Sequence, residues 1–109
     1  MDRVNERERA FRGGDSGVKY LARGPKIDWG VILLKPGEEM KEHGHAQVEE
    51  TFYVVEGAPI MVVDGADIQA ETGDVFRLDP FERHAIRNDG DVSAKLVFVK
   101  TPYLPDDKI

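Results

Sequence analysis

The sequence predicts an all-β domain, built as a sandwich or a barrel. Short runs of β-branched, aromatic and aliphatic residues recur along the chain, with glycine, proline and aspartate between them. Short strands at regular spacing, separated by turn residues, are typical of sandwiches and barrels. Beyond the N-terminal segment no stretch favours a helix, and 109 residues leave room for one domain with a modest core.

Eight segments have the composition of strands. In chain order they are residues 18–21, 29–34, 51–55, 60–63, 67–71, 75–78, 84–88 and 93–100. Residues 29–34 are apolar without alternation, which predicts burial on both faces, in the barrel wall or at a subunit contact. Asp64-Gly65 and Asp89-Gly90 each predict a two-residue hairpin turn.

The two ends of the chain lack a clear strand pattern. Residues 1–17 are rich in Glu, Arg and Gly, and we expect them to form an N-terminal arm, either a short helix or a loose segment. Residues 18–109 are expected to form the single domain. Its proline-interrupted tail, residues 101–109, is expected to extend over the surface.

Composition excludes several classes of function. The formal charge is −6 without a basic stripe, which argues against nucleic-acid binding. The chain has no long apolar run, so no transmembrane helix is expected, and its charged N-terminus predicts no signal peptide. We therefore expect a cytoplasmic protein. Cysteine is absent, which leaves only nitrogen and oxygen donors for a metal.

Three histidines and one glutamate form a candidate metal site. His43 and His45 are two residues apart and project to the same side if that segment is extended. Glu50 opens the next strand, and His84 lies in a distant one. Imidazoles and a carboxylate suit one divalent transition metal, such as Fe, Mn, Ni, Co, Cu or Zn. Glu49 competes with Glu50, but the two point to opposite faces, so at most one should ligate.

These residues belong to a longer pattern, Gly-x5-His-x-His-x4-Glu-x6-Gly. It is matched at Gly37, His43, His45, Glu50 and Gly57. The pattern resembles the first motif of the cupin family. The second motif of that family, Gly-x5-Pro-x-Gly-x2-His-x3-Asn, is matched only at its ends, by Gly73, His84 and Asn88. Its interior departs, because Asp79 and Phe81 replace the expected Pro and Gly and Pro80 is displaced by one position.

The resemblance covers residues 37–88 and implies a double-stranded β-helix, the jelly-roll β-barrel of the cupins. It also implies that His43, His45, Glu50 and His84 are the metal ligands. Dioxygenases, isomerases and decarboxylases all occur in the family, so the resemblance does not select a reaction.

Strand alternation supplies candidates for the wall of a pocket. They are Phe52, Val54, Met61, Phe76, Ile86, Asn88 and Phe98, with Met40 beside them. Most apolar members of this set are expected to be core residues. Arg77, Arg87 and Lys100 could hold an anionic ligand, but alternation favours the solvated outer face for each.

Two functions remain open at this point. The first is a small metalloenzyme that acts on an oxygenated small molecule. The second is a non-catalytic cupin that binds a metal or a small ligand, as a sensor or a structural module. In either case we expect a small-molecule ligand or substrate and a homodimer, because residues 29–34 are too apolar for one side of a barrel.

Overall fold

The computed structural model describes residues 1–109 and contains nine β-strands, paired antiparallel in two sheets. The strands are β1 Gly17–Arg23, β2 Asp28–Leu34, β3 Glu39–His43, β4 Glu49–Glu56, β5 Ile60–Val63, β6 Ala66–Gln69, β7 Val75–Leu78, β8 His84–Arg87 and β9 Ala94–Thr101. The one helical element is a 3₁₀ turn at Glu6–Glu8. No helix has the length and apolar character needed to cross a bilayer.

The two sheets are wound together along the chain. One has five strands in the order β1-β2-β9-β4-β7, and the other has four in the order β3-β8-β5-β6. Strands that follow one another in sequence often lie in different sheets, so the chain passes repeatedly from one sheet to the other. This is the winding of a jelly roll, and the predicted fold class is confirmed.

The eight predicted strand segments are all strands, with small shifts at their ends. Asp64-Gly65 joins β5 and β6 as the predicted hairpin turn, with φ of 47° and 81° at its two residues. The hairpin predicted at Asp89-Gly90 is wrong, because β8 and β9 lie in different sheets. There the Asn88 side-chain oxygen accepts a hydrogen bond from the Gly90 amide, within a loop that crosses between the sheets.

The core lies between the two sheets and contains residues from both. Its buried members are Ile32, Leu34, Phe52, Val54, Met61, Ala70, Leu78, Ile86, Leu96 and Phe98. In β2, Val31 and Ile32 point to opposite faces, yet they are only 2% and 1% exposed. The prediction that this strand is buried on both faces is therefore confirmed for its central residues.

The N-terminal segment lies against β1 and β9. The carbonyl of Glu6 accepts a hydrogen bond from Lys19 Nζ, and its carboxylate pairs with Lys95 at 2.7 Å. Lys19 Nζ also lies 4.2 Å from the centre of the Phe11 ring. The division into an arm, residues 1–17, and a domain, residues 18–109, stays a prediction.

Candidate metal centre

The four predicted ligands converge between the two sheets. His43 ends β3, His84 begins β8, and the two are paired in register in the four-stranded sheet. Glu50 faces them from β4 in the other sheet, and His45 lies in the loop between β3 and β4. One ligand atom from each of the four residues lies within 4.8 Å of the others. Expected strand alternation does not explain the approach of His45, because that residue is outside the strand.

The imidazoles all turn the same nitrogen toward Glu50. The Nε2 atoms of His45 and His84 each lie 3.0 Å from Glu50 Oε1, and that of His43 lies 3.8 Å from it. The Glu50 side chain is only 3% exposed. A single buried carboxylate oxygen therefore has three ring nitrogens around it, as in a site that surrounds a small cation.

Backbone carbonyls determine which nitrogen of each ring carries hydrogen. Nδ1 of His43 faces the carbonyl of Lys41 at 3.2 Å, and Nδ1 of His84 faces that of Glu82 at 3.1 Å. Nδ1 of His45 lies 2.6 Å from the Asp107 carbonyl. A carbonyl can only accept, so each Nδ1 is the donor and each neutral ring has its lone pair on Nε2.

Lone pairs aimed at a carboxylate oxygen repel it unless a proton or a cation lies between them. Three neutral imidazoles and one carboxylate are ligands that divalent transition metals accept in proteins. Carbonyl groups that hold the opposite ring nitrogen are the usual support of metal-binding histidines. The four residues are therefore able to hold a metal ion, and their donor chemistry fits one.

The ionisation of the cluster follows from the same contacts. Burial by itself would raise the pKa of Glu50, but the hydrogen bonds that His43, His45 and His84 donate from Nε2 when their rings carry a second proton outweigh it and hold that pKa well below its usual range. The hydrogen bond to Glu50 raises the pKa of His45, against the effect of burial, and the Asp107 carbonyl adds to the increase. Glu50 is thus an anion at neutral pH.

A model of the cupin domain matches residues 30–100. The chain belongs to the cupin family. Protein SchB of Streptomyces halstedii is 40% identical to this cupin over 76 residues, which are 70% of this chain and 55% of SchB. The tetracenomycin polyketide synthase protein TcmJ of Streptomyces glaucescens is 34% identical over 76 residues, which are 70% of this chain and 51% of TcmJ. The chain thus spans about half the length of the curated relatives it matches.

Solved structures support the fold independently. An uncharacterised protein with a double-stranded β-helix domain from Klebsiella pneumoniae superimposes with a TM-score of 0.84. The match covers 100% of this chain and 96% of the other at 19% identity. At that identity the likeness shows the fold of this cupin and nothing about its activity.

The C-terminal tail of this cupin holds the loop that carries His45. The Asp107 carboxylate accepts hydrogen bonds from the backbone amides of Ala46, Gln47 and Val48, at 3.0, 2.8 and 2.8 Å. Two residues on, Ile109 exchanges both backbone hydrogen bonds with Gly44. The tail, which the sequence predicts to extend over the surface, is exposed at seven of its nine residues, and it also contacts the loop of the candidate metal centre. Nothing in the sequence of residues 101–109 predicts that this tail would hold the His45 loop.

Two neighbouring cavities open beside the centre. One, of about 200 Å³, is lined by His43 and Glu50 together with Val18, Ile32, Met40 and Phe98. The other, of about 160 Å³, lies on the side of His45 and Asp107. The two cavities share the side chains of Arg12, Tyr20, Lys100 and Lys108. Sequence reasoning missed Arg12 and Lys108, which lie in the two terminal segments, and Tyr20, which lies in β1.

The other candidate pocket residues fall into two groups. Phe98 and Met40 line the cavity near Glu50. Phe52, Val54, Met61 and Ile86 are in the buried core, and Phe76 packs against it. The ring of Phe52 also packs edge-on against His84, with centres 5.6 Å apart.

The side chain of Asn88 is held by hydrogen bonds to backbone carbonyls. Its side-chain amide donates to the carbonyls of Leu34 and Val92, which holds the loop between β8 and β9. Whether Asn88 or any of the candidate wall residues contacts a ligand stays a prediction.

The three basic candidates differ from one another. Arg77 pairs with Glu49 and Asp79 on the surface, and Arg87 pairs in the same way with Asp67 and Asp89. The outer-face position expected for Lys100 is wrong. Lys100 shares the inner face of β9 with Phe98 and donates a hydrogen bond to the Tyr20 hydroxyl at 3.0 Å.

Proposed function

We propose that this cupin is a metalloenzyme that acts on an oxygenated small molecule. In this proposal His43, His45, Glu50 and His84 hold one divalent transition metal, and the substrate occupies the cavity beside His43 and Glu50. The observation that carries it is the set of three Nδ1–H donors held by backbone carbonyls, which leaves three Nε2 lone pairs around one carboxylate oxygen.

The ligand set determines what such a site could do. A divalent ion with three neutral imidazoles and one carboxylate retains one positive charge, which favours binding of an electron-rich oxygen. A metal bound there supplies Lewis-acid polarisation of a substrate oxygen, or dioxygen chemistry if it is redox-active. Both fit the dioxygenase, isomerase and decarboxylase types of reaction.

Two side chains of the cavity can take part in proton transfer. The Tyr20 hydroxyl accepts a hydrogen bond from Lys100 Nζ, so its own proton is free to be donated toward a bound molecule. Both residues lie in the same cavity as Glu50 and His43. The apolar wall on the other side, formed by Ile32 and Phe98 among others, supports a ligand with a hydrocarbon part.

The name of one relative agrees with this substrate class. TcmJ is named as a tetracenomycin polyketide synthase protein. Polyketides are rich in keto and hydroxyl oxygens, which are groups that a divalent metal polarises. Because the chain spans about half of TcmJ, the substrate class remains part of the proposal.

Elemental analysis tests the metal site first. Protein purified without added metal or chelator should contain about one equivalent of iron, manganese, nickel, cobalt or zinc, since one ion satisfies all four donors. Glu50→Gln and His84→Ala should lose most of it while circular dichroism still shows a folded β-protein.

The matched control is Glu49→Gln. Glu49 is the neighbouring carboxylate, but it pairs with Arg77 on the outer surface, so its variant should retain the metal. Equal metal content in all variants, or no metal after incubation with these ions, would contradict the four-ligand site.

Activity is tested next with metal-loaded protein. We expect dioxygen consumption with catechols, or conversion of keto acids, and its loss in Glu50→Gln but not in Glu49→Gln. Stoichiometric metal without turnover of any such substrate would instead favour the non-catalytic, ligand-binding function.

A further inference from the structure

We propose that the cavity beside the metal centre is an anion site, which selects small molecules with a carboxylate at one end and an apolar body. The part of this proposal in which the other end of the ligand points toward a metal ion rests on the proposed function. The anion site itself does not, because it consists of residues other than the four candidate ligands.

The first observation is a gathering of cations in an acidic protein. The chain has a formal charge of −6, yet the cavity of about 200 Å³ is lined by four cationic side chains, those of Arg12, Lys41, Lys100 and Lys108. None of these four forms an ion pair with a carboxylate, whereas most other basic side chains on the strands do. A local excess of positive charge in a concave site attracts anions.

The second observation is that every carboxylate of the cavity walls has a partner. Glu42 pairs with Arg83, and Asp28 pairs with Arg23. Asp107 accepts three backbone hydrogen bonds, and Glu50 faces the histidines. None of these carboxylates forms an ion pair with one of the four cations, so a bound anion could serve as their partner.

The third observation is the position of Lys100. It is half-buried, and it is the direct cross-strand partner of Glu50 on one side and of Asp28 on the other. Its Nζ nevertheless bonds to the Tyr20 hydroxyl, above the Tyr20 and Phe98 rings. Lys100 and the Tyr20 O–H can therefore both donate to one anionic group.

The apolar wall defines the rest of the ligand. Val18, Ile32, Met40 and Phe98 line the same cavity, which at about 200 Å³ is smaller than the usual site for a drug-sized molecule. A single-ring or short-chain carboxylate matches this combination. With its carboxylate at Lys100 and Arg12, its other end reaches toward His43 and Glu50.

Calorimetric titration of the full chain with benzoate and with benzamide tests the site. The two probes have the same shape, but only benzoate is charged. In metal-free protein, benzoate should bind at least about tenfold more tightly than benzamide, and its affinity should fall as salt is raised. A second titration with zinc-loaded protein shows whether the metal adds to the affinity.

Three variants assign the binding to residues. Lys100→Met and Arg12→Met should each weaken benzoate binding by about tenfold or more, as expected for loss of a charge-assisted hydrogen bond. Arg12 is exposed, so its variant is not expected to disturb the fold. Lys26→Met is the control, because Lys26 is also exposed and unpaired but lines neither cavity.

Equal affinity for benzoate and benzamide would overturn the anion site, as would unchanged benzoate affinity in both Lys100→Met and Arg12→Met. Absence of benzoate binding at millimolar concentration would do the same. The metal-free titration answers this question even if elemental analysis finds no metal, so failure of the anion site and failure of the metal site are distinguishable.

Discussion

Replacing Asp107 with alanine should weaken metal binding without unfolding the barrel. The Asp107 carboxylate accepts hydrogen bonds from three consecutive amides of the loop that carries His45. The main-chain carbonyl of the same residue orients the His45 ring through Nδ1. The substitution keeps this carbonyl but removes the side chain that holds it in place.

The contacts of Asp107 set the expected losses of folding stability and of metal affinity. Hydrogen bonds to a charged group contribute about 1.5–3 kcal/mol each when buried. Asp107 is partly exposed, so water can replace some of the lost hydrogen bonds and the cost per bond is smaller. Loss of the side chain resembles loss of a helix N-cap, so we expect a destabilisation of about 2 kcal/mol. Loss of a group that supports a metal ligand typically costs about 10- to 100-fold in affinity, and we expect about tenfold here.

Two measurements separate the effect on metal affinity from the effect on the stability of the fold. Competition with a chromogenic zinc chelator gives the metal affinity, and urea denaturation of the metal-free protein gives the free energy of unfolding. Asp106→Ala is the matched control, since Asp106 is the exposed neighbour with no hydrogen bond to the loop. A metal affinity within twofold of the wild type for Asp107→Ala would refute the idea that the tail positions His45.

Two further predictions concern the barrel itself. Phe52→Ala should lower the free energy of unfolding by about 3–5 kcal/mol in urea denaturation, because Phe52 is fully buried and packs against His84. Tyr53→Ala, at the next and 45% exposed position, should cost much less, and equal losses would contradict the assigned faces of β4. The homodimer remains a prediction, supported by the half-buried Trp29 and Leu33 on the outer side of β2. Light scattering at micromolar concentration should give twice the chain mass, and a monomer there would refute it.

Local sequence pattern predicted eight of the nine strands and selected four residues whose possible ligand atoms come together in the structure; β3 was not among the predicted strands. His43, Glu50 and His84 lie in or at the ends of strands, where their spacing reflects the pairing of β3 with β8 and the position of β4 opposite them. His45 was selected because residues two apart in a strand point to the same side, but in the structure it lies in a loop outside the strand. It approaches the others because residues 107–109 fix its loop, and a contact between positions so far apart leaves no local pattern.

Alternation identifies the face of a strand but not the depth along the barrel. Val54, Met61 and Ile86 point inward as expected, but they lie at the packed level of the core and not at the cavity. Lys100 could have been placed correctly, since it is two residues from Phe98, which was already assigned to the inner face. Arg12 and Lys108 could not, because both lie in segments without a strand pattern.

The candidate metal centre has donors from both sheets and from a loop that the tail contacts. An ion there would link the two sheets and the loop at one point, and unfolding would have to release it. Binding to the folded state alone adds free energy of unfolding that grows with the logarithm of ligand concentration, reaching about 4 kcal/mol at a thousand times the dissociation constant. The melting temperature and the resistance to proteases of this cupin would then depend on the metal supply around it.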